Sequence, residues 1–380
     1  MRGRHMGSSL LGVVAVAVCV LAAGCGSKSS GPRREEQEVA AMYTLPDPLG
    51  EHEGTWLAWP HHYEYGEDYR DGLDPTWVSM TRALVGSENV HVLAYDAREV
   101  RRIQALLTDQ GVPLDRVDFT VHAFEDVWIR DFGPIYVRDS SNALVIEGWG
   151  FNGWGEKENF VLSAEVPKAI ADKQALPYVD LQQDIVNEGG SVEIDATGTL
   201  MATRSSTLNP NRNPDMTQEQ MESYFRKYLG VTRFIWLDGV AGLDITDMHI
   251  DGFAVFARDN TLVTMSDDDL SEWGVPDHDI DTLHAAKNAE GQPYTFVTLP
   301  LTAKNVTTTW GKQLGYKGSY VNYYVANSVV LVPNYADAND IAANAIVQKL
   351  FPDKTVIGID VRNLYAEGGM VHCVTQQQPR

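Results

Sequence analysis

With 380 residues, 44% apolar and 22% charged, the chain has an ordinary globular balance, which excludes a wholly disordered polymer. Its 52 acidic residues against 30 basic ones give a formal net charge of −22. Such a surface excludes nucleic acid as a natural partner, because phosphate binding wants clustered Lys and Arg, and it draws small cations.

Residues 1–24 read as a signal peptide rather than as part of the fold. Arg2 and Arg4 precede an apolar stretch from Leu10 to Ala23, of secretory length and short for a membrane span. The stretch ends in Leu21-Ala22-Ala23-Gly24-Cys25, which resembles a bacterial lipobox, a signal whose cysteine is lipidated and becomes the new N-terminus. That resemblance implies an exported protein anchored to a membrane of the cell envelope by acyl chains on Cys25, each buried CH2 contributing ~0.8 kcal/mol. Residues 25–41, small, polar and charged beyond the cysteine, read as a flexible tether. Cys19 leaves with the signal and Cys25 takes the lipid, so the folded body keeps one thiol, Cys373, and no internal disulfide.

Residues 42–380 show no break in composition and are expected to form one domain. Runs rich in β-branched and aromatic residues predict strands over 90–95, 117–124, 134–137, 143–147, 233–237, 253–257, 261–265, 294–299, 329–332 and 355–359. Amphipathic spacing predicts helices over 97–110, 162–176, 217–229 and 338–350, the last with Ile341, Ala345, Val347 and Leu350 on its apolar face. The alternation predicts an α/β protein with mixed strands. Glu-Gly-Gly recurs at 188–190 and 367–369, a faint sign of internal repetition.

Four segments carry chemistry. Residues 125–134 hold three acids, Arg130 and Trp128 in a buried-looking run. The plain reading pairs Arg130 with an acid; the functional one is a cation site, with carboxylates for charge and the indole for stacking. Residues 187–191 carry Glu188 at a glycine turn. Residues 247–253, read as extended, put His249 and Asp251 on one face, as acid–base work requires. Residues 367–374 bring Cys373, and an extended run there points His372 to the opposite face. His249, from a distance, is therefore the better base. No phosphate loop, dinucleotide fingerprint or CxxC zinc pattern is present, and no metal or organic cofactor is expected.

Together with residues 52–60, 148–152, 208–214, 319–324 and 372–377, these strings resemble the agmatine deiminase family, which is grouped with bacterial peptidylarginine deiminases, over nearly the whole of residues 42–380. The resemblance implies a fivefold pseudosymmetric α/β propeller of ββαβ-type repeats with a central-channel active site. It implies Cys373 as nucleophile and His249 as base. Asp131 and Asp251 would grip the guanidinium, Glu188 would hold His249 or the substrate nitrogens, and Trp128 and Asn322 would line the pocket. Met248, Gly252 and Glu367 depart from the family's usual residues and put the substrate's tail in question.

The implied chemistry suits these residue types. A guanidinium is planar and protonated, so two carboxylates fix its plane and keep its carbon electrophilic. A free thiol is mostly protonated at neutral pH, and thiolate formation is expected to wait for the bound cation. The expected reaction is hydrolytic deimination through an amidino-cysteine intermediate, with agmatine yielding N-carbamoylputrescine and ammonia. Other readings are a peptidylarginine or other guanidine substrate, a metal hydrolase built on His249, Asp251 and Glu188, and a cation-binding lipoprotein without catalysis. Oligomerisation with further copies of the chain is left open.

Overall fold

The computed structural model describes residues 40–380, so the signal peptide, Cys25 and nearly all of the tether lie outside the described residues. Five small sheets make up the body, and all five share one core pattern. Each begins with an antiparallel pair. The pairs are Ile135–Asp139 with Leu144–Gly150, Val192–Ile194 with Thr199–Thr203, Val255–Ala257 with Thr261–Thr264, Tyr324–Val325 with Val329–Asn334, and Gln376–Pro379 with His52–Ala58.

The second strand of each pair then gains a parallel neighbour: Tyr178–Val186, Arg233–Leu237, Thr295–Thr298, Thr355–Asp360 and Asn89–Ala94 respectively. A parallel neighbour needs a crossover, and helices supply it. They are Val166–Gln174, Gln218–Leu229, Asp267–Trp273 with Asp277–His284, Asp340–Leu350, and Glu67–Leu84. The expected fivefold α/β repeat is thus present, and the fifth sheet closes it by joining residues 376–379 to residues 52–58. Local signals agree with these elements. Thr217 and Gln220 form a reciprocal capping box at the start of Gln218–Leu229, and Gly230 ends that helix in the left-handed conformation.

The site is positioned by the segment just before each antiparallel pair. Asp131, Glu188, Asp251, Asn322 and Cys373 lie four, four, four, two and three residues ahead of the first strand of successive sheets. Four of these segments contain a single helical turn: Ile129–Phe132, Gly189–Ser191, Ile250–Gly252 and His372–Val374. Each sheet therefore delivers one of the five side chains. The Glu-Gly-Gly recurrence does not mark this repeat, since Glu188 stands four residues before its strand and Glu367 nine before its own.

All ten predicted strands are present, some shifted by up to three residues at their ends. His52–Ala58 and Thr199–Thr203 were not predicted, and both are buried nearly throughout. Three local expectations fail. Residues 367–374 are not an extended run, since His372–Val374 forms a helical turn. Ile341 is 82% exposed, and the helix turns Ala343 and Val347 inward instead. Residues 247–253 are not extended: Asp247 and Met248 have φ of 61° and 74°, followed by the turn Ile250–Gly252.

Glu147 sits inside the first sheet, fully buried, with Trp149 Nε1 donating to Oε2 at 2.9 Å and no partner on Oε1. Burial lifts its carboxyl to about 8, so its favourable contribution is complete below its ordinary value of 4.5 and is lost as pH rises toward 8. Glu147→Gln is expected to raise the melting temperature at pH 8 by roughly 2 °C or more, with a smaller change at acidic pH, measured by thermal denaturation at both.

Candidate active site

Cys373 occupies the turn His372–Val374. Its Sγ lies 3.8 Å from Asp251 Oδ2 and 3.5 Å from Asn322 Nδ2. The amide orientation of Asn322 follows from its partners. Oδ1 accepts the His372 backbone N–H at 2.9 Å, and Nδ2 donates to the Asp251 carbonyl at 3.1 Å. The amide N–H₂ therefore faces the sulfur, where it favours a thiolate.

His249, Asp131 and Asp251 meet around Gly190. A Cβ at Gly190 would stand 2.8 Å from Asp131 Oδ1, 2.8 Å from His249 Nδ1 and 3.0 Å from Asp251 Oδ2. Only glycine permits that convergence. Glu188 Oε2 lies 3.1 Å from His249 Nε2, and its Oε1 accepts from Arg212 Nε at 2.9 Å. Asp131 accepts from the Gly190 N–H at 2.9 Å and from Trp154 Nε1 at 3.0 Å. Asp251 Oδ2 is 2.8 Å from His372 Nδ1. Every predicted site residue of the folded body, Trp128 and Asn322 included, lines one cavity of about 380 Å³ or, for Glu188, stands directly behind His249.

The left-handed pair Asp247 and Met248 turns the chain so that His249 faces this cavity. Ser205 Oγ donates to the Asp247 carbonyl at 2.7 Å, Thr203 Oγ1 to the Met248 carbonyl at 2.8 Å, and Lys157 and Arg212 pair with the Asp247 carboxylate. Such backbone conformations cost free energy in non-glycine residues and persist only where neighbours enforce them. On the other wall, a Cβ at Gly369 would sit 2.3 Å from the Trp128 ring, so the missing side chain lets the indole lie against the backbone.

Charge is the dominant property. Burial alone would push the His249 imidazole down, but the carboxylates of Asp131, Glu188 and Asp251 outweigh it and lift it to about 9. Burial, with the charges of Asp251 and Glu188, lifts the Asp131 carboxyl to about 6 against the pull of His249. For Glu188, His249 and Arg212 overcome burial and hold it below the ordinary range; for Asp251, His372 does so first. Burial and the Asp251 and Asp131 charges push the Cys373 thiol well above its ordinary value. The free site thus holds a protonated imidazole and a protonated thiol.

Sequence reasoning missed the residues that hold the acids: Arg212 on Glu188, Trp154 on Asp131 and His372 on Asp251. His372 does point away from the sulfur's cavity, yet it grips Asp251. Arg130 forms no ion pair within 4 Å among the described residues, against the plain reading of its segment. A metal fits the acids poorly, because both Glu188 oxygens already accept from His249 and Arg212.

The family model described as Porphyromonas-type peptidyl-arginine deiminase matches residues 44–379. A protein of Streptomyces coelicolor is 33% identical over 354 residues, covering 89% of this chain and 99% of that one. The agmatine deiminase of Pseudomonas aeruginosa is 29% identical over 366 residues, covering 89% and 95%. In structure, the agmatine deiminase of Enterococcus faecalis aligns with a TM-score of 0.78 at 24% identity over 89% of this chain and 96% of that one, a likeness of fold.

Two outcomes follow from the geometry. The profile of kcat/KM against pH is expected to be bell-shaped: it falls below about 6, where Asp131 takes a proton and loses its hold on a cation, and above about 9, where His249 loses the proton it donates. Gly190→Ala is expected to lower kcat/KM by about 100-fold or more through displacement of three reacting groups, measured on a guanidinium substrate.

Proposed function

We propose, for a chain that belongs to the Porphyromonas-type peptidyl-arginine deiminase family, that Cys373 carries out the hydrolytic deimination of agmatine. The observation that carries this reading is the meeting of one thiol, one protonated imidazole and two buried carboxylates in a single pocket, with a third carboxylate, Glu188, behind the imidazole.

Asp131 and Asp251 take the guanidinium nitrogens. The bound cation offsets their charge and lowers the thiol's pKa, and the thiol proton passes to solvent water. The Cys373 sulfur then bonds to the guanidinium carbon, and His249 gives its proton to the departing ammonia as the C–N bond breaks. Water adds to the amidino-thioether, His249 takes a proton from it, and the C–S bond breaks to return the thiolate. The product is N-carbamoylputrescine.

The pocket's wall supports agmatine over free arginine. Glu64, Asp126, Glu158, Asp244 and Glu367 line it beyond the reacting groups, and neither Lys nor Arg does. That wall attracts a distal ammonium and repels a carboxylate. Tyr69 donates to Glu367 and Tyr65 to Asp126, which places aromatic faces beside the acids. Ammonia release from agmatine, arginine and a blocked arginine peptide tests the reading. Wild type is expected to favour agmatine and Cys373→Ala to release none. Equal turnover of the peptide moves the assignment to peptidylarginine, and ammonia release by Cys373→Ala rejects the thiol mechanism.

The lipobox-like sequence supports an envelope lipoprotein held to a membrane through Cys25. Labelling with a radioactive fatty acid is expected to mark the wild-type protein and to be lost in Cys25→Ser, with the protein moving to the soluble fraction.

A further inference from the structure

Behind the reaction centre lies a second cavity of about 520 Å³, which shares no lining residue with the first. The wall between them is one residue thick in three places. Asp131, Asn322 and Cys373 line the catalytic cavity, while their chain neighbours Arg130, Tyr323 and His372 line the rear one.

Arg130 is the anomaly there. It is only 5% exposed, yet no carboxylate lies within ion-pair distance of it among the described residues. Its one hydrogen bond is a long one, from Nε to the His372 carbonyl at 3.4 Å, and Nη2 has no partner. A buried guanidinium normally has both a counter-charge and its N–H groups satisfied. Two more buried polar atoms on the same cavity are also without partners, the Tyr323 hydroxyl and Gln376 Oε1. The hydroxyl is a further donor on a residue of the same lining.

We propose that this rear cavity binds a small apolar monocarboxylate, with its carboxylate on the free edge of Arg130 and the Tyr323 hydroxyl. A carboxylate matches the planar guanidinium fork. The rest of the wall sets the ligand's body and charge. Leu45, Leu49, Ile135, Val255 and Phe256 line the cavity and suit a short alkyl or aryl group. Asp47, Asp195, Asp259 and Glu290 also line it and disfavour a ligand of higher charge such as phosphate, while the other arginine of the lining, Arg258, is paired with Asp353. Burial lifts the Glu193 carboxyl to about 8, so at neutral pH this nearby acid is protonated and does not compete for Arg130.

Isothermal titration of the purified protein with butyrate, chloride and phosphate at constant ionic strength tests the site, with a saturating guanidinium inhibitor in the catalytic cavity throughout. Butyrate is expected to bind saturably, chloride and phosphate not, and Arg130→Met to abolish binding. Should Arg130→Met fail to fold, Tyr323→Phe, which removes a single hydroxyl, decides: affinity about tenfold weaker supports the site, and unchanged affinity overturns it. Absence of saturable butyrate binding, equal binding of chloride, or butyrate binding that survives Arg130→Met also overturns it.

Discussion

Three buried carboxylates share one imidazole, and the rest of the site answers to that imbalance. Glu188 is compensated by Arg212, and Asp251 accepts from His372. Asp131 takes hydrogen bonds only from neutral donors, the Gly190 amide and the Trp154 indole, with the His249 imidazole 3.8 Å away and shared with the other acids. Its carboxyl accordingly rises to about 6, and the thiol beside the cluster is kept protonated. A bound planar cation removes both penalties together. The acids then stay ionised, and the nucleophile forms at the moment there is something to attack. The negative cluster is both the means of binding and the gate on reactivity.

That cluster needs groups from far apart in the chain, and the fivefold repeat supplies them. Each sheet contributes a residue from the segment preceding its antiparallel pair, so five equivalent positions face one another. Closure depends on pairing residues 376–379 with residues 52–58, a contact across more than three hundred residues. Cys373 sits three residues before that last strand. The nucleophile is thus positioned by the most non-local pairing in the fold, which forms against the largest loop-closure entropy. Completion of the catalytic group and completion of the fold become one event.

How far the sequence reveals this differs from residue to residue. Strand runs such as Arg233–Leu237 are visible because β-branched and aromatic residues fill a pleated, buried surface. Thr199–Thr203 escapes notice because Thr, Met and Ala give no alternation, although the strand is buried on every side. His249 and Asp251 are correctly grouped for the wrong geometric reason: a period of two suggests a shared face, whereas two left-handed residues and a single turn produce it. Arg212, Trp154 and His372 are recognisable only in three dimensions, since each holds an acid distant in the chain: Arg212 and Trp154 one from earlier in their own repeat, 24 and 23 residues away, and His372 one from another sheet, 121 residues away. Gly190 is half legible. A double glycine signals a missing Cβ, but not that three reacting atoms occupy its place.

The thin wall between the two cavities ties these points together. Successive residues line opposite cavities at 130–131, 322–323 and 372–373, so Asp131, Asn322 and Cys373 each have a chain neighbour on the other side. Burial and the Arg130 charge push the His372 imidazole down, which keeps it a neutral donor to Asp251. A second protonated imidazole there would add positive charge beside the acids and weaken their attraction for the substrate's cation. Arg130 therefore shapes the catalytic cavity while touching none of the reacting atoms: its charge keeps His372 neutral, and a neutral His372 orients Asp251 without cancelling it. The excess negative charge on which binding depends survives because Arg130, the buried guanidinium without an ion pair among the described residues, is kept behind the wall, out of the catalytic cavity.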